Sequence, residues 1–218
     1  MKKQTLVIVS SLLLILVFVL GGNFYLNQKS ENIAFLARDN AETFVRDYSP
    51  TLGTDAAKVY LVEFLDPACG TCRAFYPFVK NLMAEYPDKI KLVIRYAPNH
   101  QNSDIIVKML EAAKEQGKYW LALETTMRYQ SSWAINHKSE PELLLPILAK
   151  AGIDIEKIKV DMNSPEIAQR IEQDLKDGKQ LKVTKTPEFF VNGKPLPSFG
   201  SDQLKALVDA EVKSIYKP

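Results

Sequence analysis

Residues 62–77 read V-E-F-L-D-P-A-C-G-T-C-R-A-F-Y-P, and they join an apolar stretch to a pair of cysteines. Short segments rich in β-branched and aromatic residues are typical of buried strands, whereas Asp66 and Pro67 break a strand. The pattern predicts three elements: a strand at 58–65, a helix from Cys69 to about Tyr86, and a second strand at 89–96. This order predicts a βαβ unit with parallel strands.

The rest of the chain is first helical and then returns to strand patterns. We predict helices at 104–117, 119–130, 141–151, 153–162 and 165–176, with Ser139, Asp154 and Ser164 as the N-caps of the last three. A strand at 188–191 precedes Asn192-Gly193, a strong hairpin signal, and Ser201 is predicted to cap a final amphipathic helix. The order βαβ, helical block, ββα predicts an α/β fold whose sheet is interrupted by an all-helical insertion.

These patterns divide the chain into five regions. We assign 1–26 to a signal anchor or transmembrane segment, 27–57 to a linker and an N-terminal helix at about 31–48, 58–100 to the first half of the α/β fold, 101–180 to the helical insertion and 181–218 to the second half.

The first 26 residues have the composition of a membrane-targeting segment. Lys2 and Lys3 precede an uncharged, largely apolar stretch that continues to about Leu26. A cleaved signal peptide fits this pattern, but the length, near the ~20 apolar residues of a spanning helix, favours an uncleaved anchor. The two lysines favour the cytoplasmic side. We therefore expect a cell-membrane protein whose following domain lies outside the cytoplasm, on the periplasmic or cell-surface side, or, after cleavage, a secreted or periplasmic one.

Composition and charge exclude one class of partner. The chain has 28 basic and 26 acidic residues, a formal net charge of +2, and its aromatic residues lie in apolar runs. Nucleic-acid-binding proteins concentrate basic residues on one face, so nucleic acid is not an expected partner. The hydrophobic content of 46% is enough for an ordinary core, which needs no cofactor or metal to hold it.

Cys69 and Cys72 are the only cysteines. A bridge between them closes a very small loop and restrains little chain entropy, so reactivity explains the pair better than stability does. Cysteine reacts as the thiolate, and the free N–H groups at a helix start favour a negative charge on Cys69. Cys72, one turn later, can attack a mixed disulfide formed on Cys69 and release the substrate. Inert core thiols or a metal site are the alternatives.

Two further positions have alternative interpretations. Glu63 shares a strand face with Leu61 and Leu65, where a buried carboxyl has a raised pKa and can transfer protons. A solvated carboxylate at a sheet edge fits the pattern equally well. For Thr186-Pro187, the residues alone favour an ordinary trans proline at the start of a strand over a cis bond.

Three segments together resemble the DsbA family of thioredoxin-fold thiol–disulfide oxidoreductases, of the membrane-anchored or exported bacterial type. Residues 62–77 resemble the family's active-site segment, G-K-Y-W-L-A-L-E-T-T-M from Gly117 resembles a motif of its inserted helical domain, and T-P-E-F-F-V-N-G-K from Thr186 resembles its cis-proline loop and hairpin. The resemblance implies a thioredoxin fold with a helical insertion. It also implies that Cys69 is the exposed attacking cysteine and Cys72 its buried partner. By the same resemblance, Glu63 is the buried acid, Pro187 is the cis-proline and Thr186 is the residue that forms hydrogen bonds with the substrate.

The dipeptide between the cysteines departs from the strongly oxidising DsbA. It is Gly70-Thr71 here, in place of Pro-His, and we expect both residues to contact substrate. A histidine there can stabilise the thiolate and raise the oxidising power, and Gly-Thr supplies no cation. We therefore expect a less extreme oxidant.

The resemblance implies thiol–disulfide exchange on exported proteins, and we expect disulfide formation with reoxidation by a quinone-linked membrane partner. An extracytoplasmic reductase or isomerase, kept reduced by a membrane electron donor, is the alternative. A copper(I) protein that uses the two thiolates is a third hypothesis, which the lack of Met-rich or His-rich segments disfavours.

Overall fold

The computed structural model describes residues 41–136 and 138–216, together with Ile15, Leu20 and Gly21. In chain order the elements are α1 (Ala41–Phe44), β1 (Thr51–Leu52), β2 (Val59–Leu65), α2 (Gly70–Glu85), β3 (Ile90–Tyr96), α3 (Ser103–Glu115), α4 (Tyr119–Arg128), a 3₁₀ turn (Gln130–Ser132), β4 (Ala134–Ile135), β5 (Lys138–Ser139), α5 (Pro141–Lys150), α6 (Ile155–Asp161), α7 (Pro165–Gln180), β6 (Glu188–Val191), β7 (Lys194–Pro195) and α8 (Ser201–Ile215).

The central sheet has the strand order β1-β3-β2-β6-β7. β2 and β3 pair in parallel, which confirms the predicted βαβ unit, and β6 pairs antiparallel with the other side of β2. Glu63 lies opposite Ile94 of β3 and Phe189 of β6. The middle strand is therefore enclosed by segments from both ends of the domain.

The two faces of this sheet carry separate hydrophobic clusters. On the first face, Leu61 and Leu65 of β2 pack in one cluster with side chains of α2, α8 and the helical block. On the second face, Val62 and Phe64 pack in another cluster with Phe44 of α1. Because successive side chains of a strand point to opposite faces, Glu63 belongs to the first face.

α7 approaches the second face closely. The helix continues to Gln180, beyond its predicted end at 176, and Gly178 lies within it. A Cβ atom on Gly178 would stand 3.3 Å from the ring of Phe64, which is tighter than an ordinary contact. A glycine inside this helix is thus explained by packing against β2.

The N-terminal helix ends earlier than predicted. Helical structure stops at Phe44 instead of Tyr48, and residues 31–40 of the predicted helix lie outside the described residues. Arg46 and Tyr48 instead extend their side chains to carboxylates of α7, so tertiary hydrogen bonds replace the last helical turn. The chain then forms the short edge strand β1, which the sequence pattern did not predict.

The helical block contains one non-helical feature, so the prediction of an all-helical insertion is wrong in this detail. β4 and β5 pair antiparallel across a turn in which Asn136 has a φ of 51°. Asparagine tolerates this left-handed conformation better than most residues do. His137 lies outside the described residues.

Two of the four predicted helix caps are confirmed. The side chains of Asp154 and Ser164 accept hydrogen bonds from the backbone N–H groups of Lys157 and Ile167. The other two predictions are wrong by one residue. Ser139 ends β5, and Glu140 occupies the N-cap position. Ser201 is the first residue of its helix, and Gly200 precedes it as the N-cap.

No helix within the described ranges is long and apolar enough to cross a membrane. The predicted anchor at 1–26 lies outside those ranges except for Ile15, Leu20 and Gly21.

Candidate active site

Cys69 occupies the N-cap position of α2, immediately before the helix begins at Gly70. Both cysteines are free thiols, and Cys69 is 6% exposed. The neighbouring Gly70 and Thr71 are exposed, which leaves them accessible to a macromolecule that approaches Cys69. The predicted position of this cysteine at a helix start is confirmed.

The surroundings of Cys69 stabilise its thiolate. The pKa of Cys69 is lowered to about 5, and the largest cause is a hydrogen bond from the Cys72 side chain. Burial acts in the opposite direction and raises this pKa. Hydrogen bonds from the Thr186 side chain and from the backbone N–H groups of Cys72 and Thr71 lower it further. In the protonated form the thiol donates to the carbonyl oxygen of Thr186, at 3.2 Å. The low pKa of Cys69 therefore depends on the side chain of Cys72 as well as on the backbone N–H groups at the start of the helix.

Cys72 has the opposite character. It lies one helical turn after Cys69 and is fully buried. Burial raises its pKa far above the ordinary value, and its hydrogen bond to Cys69 and the charges of Glu63 and Cys69 raise it further. At neutral pH the pair therefore holds one proton, on the inner sulfur.

Glu63 is buried beneath this pair, at 1% exposure. Burial raises its pKa to about 8, with a further contribution from the charge on Cys69. The structure thus decides between the two interpretations of the sequence: the carboxyl is in the interior and not at a solvated edge. It is mostly protonated at pH 7, and it can give its proton to a thiolate nearby.

The Thr186–Pro187 peptide bond is cis, as the family resemblance implies, and the trans interpretation from the residues alone is wrong. Pro187 is buried, and the carbonyl oxygen of Thr186 faces Cys69. The fold therefore brings together Cys69, Cys72, Glu63 and the 186–187 loop from two separate parts of the chain.

Asp66 organises the loop that leads to Cys69, a role that its interpretation as a strand breaker did not reveal. Its buried carboxylate accepts hydrogen bonds from the backbone N–H groups of Ala68, at 2.9 Å, and Asn99, at 2.7 Å. The Ser103 hydroxyl also donates to it, and His100 Nδ1 lies 2.6 Å away. One carboxylate thus joins the loops that follow β2 and β3.

Gln130 ties the helical block to the same loop. Its buried side-chain amide donates to the carbonyl oxygens of Pro67, at 2.7 Å, and Cys69, at 2.9 Å. No sequence signal marks this residue, because a glutamine at the end of an amphipathic helix is ordinarily solvated. The insertion is therefore in direct contact with the backbone of the candidate nucleophile.

Within the described ranges, no group of three or more His, Cys, Asp or Glu side chains is arranged to hold a metal ion. A copper(I) site would rest on the two thiolates alone. Thiol–disulfide exchange requires a thiolate with a second sulfur within reach, and Cys69 and Cys72 supply this arrangement. The Glu63 carboxyl, which holds a proton at pH 7, can serve as a proton donor beside them.

Known proteins are similar to this chain in sequence and in fold. A family model described as "Thioredoxin" matches residues 46–210. The "Probable disulfide bond formation protein D" of Bacillus anthracis is 32% identical over 180 residues, which cover 79% of this chain and 82% of that protein. The "Na(+)/H(+) antiporter NhaA" of Herminiimonas arsenicoxydans is 31% identical over 159 residues. This match covers 72% of the chain but only 25% of the antiporter.

Solved structures agree with the family match. A thioredoxin-like oxidoreductase from Silicibacter pomeroyi has a TM-score of 0.69 and 29% identity, over 80% of this chain and 98% of that one. BdbD from Bacillus subtilis has a TM-score of 0.69 at 22% identity, over 78% and 95%, and supports the fold alone. The chain therefore belongs to the thioredoxin family and, within it, to the DsbA-like thiol–disulfide oxidoreductases.

Proposed function

We propose that this protein forms disulfide bonds in exported proteins, with Cys69 as the nucleophile and Cys72 as the resolving cysteine. The supporting observation is the contrast between the two thiols, since the pKa of Cys69 is lowered to about 5 and that of Cys72 is raised. A stabilised thiolate stabilises the reduced form and makes Cys69 a good leaving group. The corresponding disulfide is then oxidising.

The reaction begins with the Cys69–Cys72 disulfide. A substrate thiolate attacks the Cys69 sulfur, a mixed disulfide forms, and Cys72 leaves as a thiolate that takes the proton of Glu63. A second substrate thiolate then attacks the substrate sulfur and releases Cys69 as its stabilised thiolate. The substrate gains a disulfide, and its two electrons remain on the reduced cysteine pair.

The 186–187 loop and the exposed dipeptide complete the substrate site in this proposal. The backbone of Thr186 offers hydrogen bonds to a substrate strand, Pro187 shapes the surface beside Cys69, and Gly70 and Thr71 contact the substrate from the helix side. Backbone pairing suits an enzyme that acts on many sequences, because it does not depend on substrate side chains.

We also propose that residues 1–26 anchor the catalytic domain on the extracytoplasmic side of the cell membrane, or act as a cleaved signal. The reduced pair must pass two electrons to an acceptor before each new cycle, and a quinone-linked membrane oxidase fits that need. The name of the Bacillus anthracis relative, a disulfide bond formation protein, supports the oxidative direction.

Equilibration of the pair with glutathione tests the direction. We expect a reduction potential closer to the ~−120 mV of DsbA than to the ~−270 mV of thioredoxin. A value near that of thioredoxin would favour the reductase, an alternative with which the uncharged Gly70-Thr71 is compatible.

Two variants test the roles of the cysteines in oxidation of a dithiol peptide. Cys69→Ser is expected to abolish turnover. Cys72→Ala, mixed with a disulfide-bonded peptide in place of the dithiol, is expected to trap a mixed disulfide, because the Cys69 thiolate attacks the peptide disulfide and no second cysteine releases the product. Normal turnover by Cys69→Ser would remove Cys69 as the nucleophile, and an empty trap would argue against exchange.

A further inference from the structure

Two buried side-chain oxygens near the active site have no hydrogen-bond partner among the described residues. They are Oε1 of Glu63 and the hydroxyl of Tyr76. Buried polar atoms in folded proteins are nearly always hydrogen-bonded, either to protein or to ordered water. Each of these two exceptions therefore calls for an explanation, and ordered water is one.

The two atoms belong to one continuous part of the structure. Tyr76 follows Cys72 by four residues on α2, so both side chains lie on the same face of the helix. The charge of Glu63 acts on Cys72 and also on Tyr76, which places all three groups within one electrostatic neighbourhood. Tyr76 is thus the next polar group beyond the cysteine pair along this helix face.

The outer side of Tyr76 faces solvent. A groove of about 440 Å³ lies between α2 and α4, and its lining includes Tyr76 and Pro77 of α2 and Glu124, Met127 and Arg128 of α4. The Tyr76 ring is partly exposed in this groove, while its hydroxyl oxygen is buried. Tyr76 therefore borders a water-accessible space and also lies within the electrostatic influence of Glu63.

A second tyrosine near Glu63 differs in its hydrogen bonding. The Tyr119 hydroxyl is 2.8 Å from that of Tyr96, which in turn lies 3.2 Å from a Glu111 carboxylate oxygen. Tyr119 is influenced by the charges of Glu63 and Tyr76 but already has a partner. Tyr76 is the tyrosine of this neighbourhood whose hydroxyl remains available.

We propose that the Tyr76 hydroxyl, through ordered water, relays protons between Glu63 and the groove between α2 and α4, and so reprotonates Glu63 in each cycle. The proposal rests on the proposed function, since it concerns the proton that Glu63 gives to Cys72. It makes Tyr76 a positioning residue that acts through Glu63 and does not touch the substrate.

The proton balance of the oxidation step closes with this relay. Two substrate thiols lose two protons as their sulfurs join; one proton ends on Cys72, by way of Glu63, and the other is released to solvent. Glu63, left as a carboxylate, takes a proton from water held by Tyr76, and groove water replaces that proton. No electron passes through the tyrosine.

Tyr76 stays neutral throughout this cycle. Burial and the charges of Glu124 and Glu63 raise its pKa to about 12, and Arg128 opposes them. A neutral hydroxyl can donate one hydrogen bond and accept another, which is what a relay position requires.

Tyr76→Phe tests the relay, because it removes the hydroxyl and keeps the ring. We expect oxidation of a dithiol peptide to slow by about tenfold at pH 8, less than the 10²–10⁴ attributed to loss of a general acid. The deficit should narrow toward pH 5, where protons are abundant, and imidazole buffer should partly restore the rate. Tyr129→Phe, an exposed tyrosine outside the groove lining, is the matched control and should leave the pH–rate profile unchanged.

A double-mutant cycle separates a relay from a packing effect. In Glu63→Gln the relay has no acid to supply, so adding Tyr76→Phe should slow turnover no further. Equal rates of wild type and Tyr76→Phe across pH 5–8, or additive losses in the double variant, would overturn the relay while the exchange function stands. A wild-type protein with no exchange activity would overturn both, and urea midpoints of all variants identify any folding defect.

Discussion

The central sheet carries buried charged groups on both faces, and the two faces treat them differently. On the first face, Glu63 has no ion-pair partner among the described residues, and its pKa is raised to about 8. On the second face, Arg95 of β3 is fully buried and contacts Asp174 and Asp177 of α7, at 2.7 Å and 2.6 Å. Arg95 directly follows Ile94, the residue of β3 that lies opposite Glu63. Both charged side chains are buried, so burial alone does not explain why only Arg95 has ion-pair partners.

The second face is a structural anchor. Arg46, just after α1, makes two hydrogen bonds to Asp177, and the Tyr48 hydroxyl donates to Asp174 at 2.8 Å. These contacts join the N-terminal segment, the sheet and α7 through paired charges, which a buried site tolerates. The first face instead leaves a buried carboxyl without an ion-pair partner, and the proposed mechanism uses the proton that this carboxyl holds. A free acid at the active site and a neutralised cluster behind it are thus two uses of the same sheet.

The largest expected effect is on the paired side. Arg95→Leu leaves Asp174 buried without its cation and leaves Asp177 with Arg46 alone. We expect the free energy of unfolding in urea at pH 7 to fall by about 3–5 kcal/mol. Arg73→Leu, at an exposed position of α2, is the control and should change it by less than about 0.5 kcal/mol. Equal losses in the two variants would mean that the buried ion pairs of Arg95 add nothing to the free energy of unfolding beyond what an exposed arginine adds.

Glu63→Gln should have the opposite sign. The pKa of Glu63 is raised on folding, so the folded state holds this proton more tightly, and its contribution to stability is lost as pH rises from about 4.5 to about 8. Removal of the ionisable group should therefore stabilise the reduced protein by roughly 3 kcal/mol at pH 7 and hardly at all below pH 4. Urea unfolding at several pH values measures the gain, with the partly exposed Glu124→Gln as the control. A gain independent of pH would contradict a buried, protonated carboxyl.

Gln130→Ala should have a smaller effect on the first face. The variant leaves the carbonyl oxygens of Pro67 and Cys69 without this buried donor, and we expect a loss of about 1–3 kcal/mol in the free energy of unfolding. Gln169→Ala, at an exposed position of α7, should be near neutral. Faster hydrogen exchange of backbone amides in the loop at 67–70, seen in Gln130→Ala alone, would locate the effect in that loop.

The smallest expected effect is no change at all. Alkylation of Cys69 in the reduced protein should have a midpoint near pH 5, and Glu63→Gln should leave that midpoint in place. At pH 5 the Glu63 carboxyl is protonated, so its replacement by a neutral amide removes no charge. A shift of a full unit would show that Glu63 is ionised at pH 5 and that the contrast between the faces is smaller than the structure indicates.

The sequence alone predicts the parts of this site that local signals encode. The strand before Asp66, the helix start at Cys69 and the hairpin at Asn192-Gly193 follow from propensity and spacing. The burial of Glu63 does not, because alternation assigns a strand face and does not reveal what covers it. The cis bond before Pro187 was implied only by the family resemblance.

The second face and the loop anchors could not be predicted in this way. Arg95 meets Asp174 and Asp177 across 79 and 82 residues of chain, and each of them alone is typical of a solvated position. Gln130 and Asp66 have the same property, since their functions depend on carbonyl and N–H groups that only the folded chain brings near. Such pairs are a property of the tertiary structure and not of any local pattern.

The sheet order has a consequence for biosynthesis. Cys69 meets the carbonyl oxygen of Thr186 across 117 residues, and β6 must join β2 before that contact exists. During translation, both cysteines are therefore synthesised more than 100 residues before the 186–187 loop that faces Cys69. A nascent chain, or one shortened by a premature stop codon before residue 186, carries the two sulfurs without their opposing loop, so the complete site is assembled only late in synthesis.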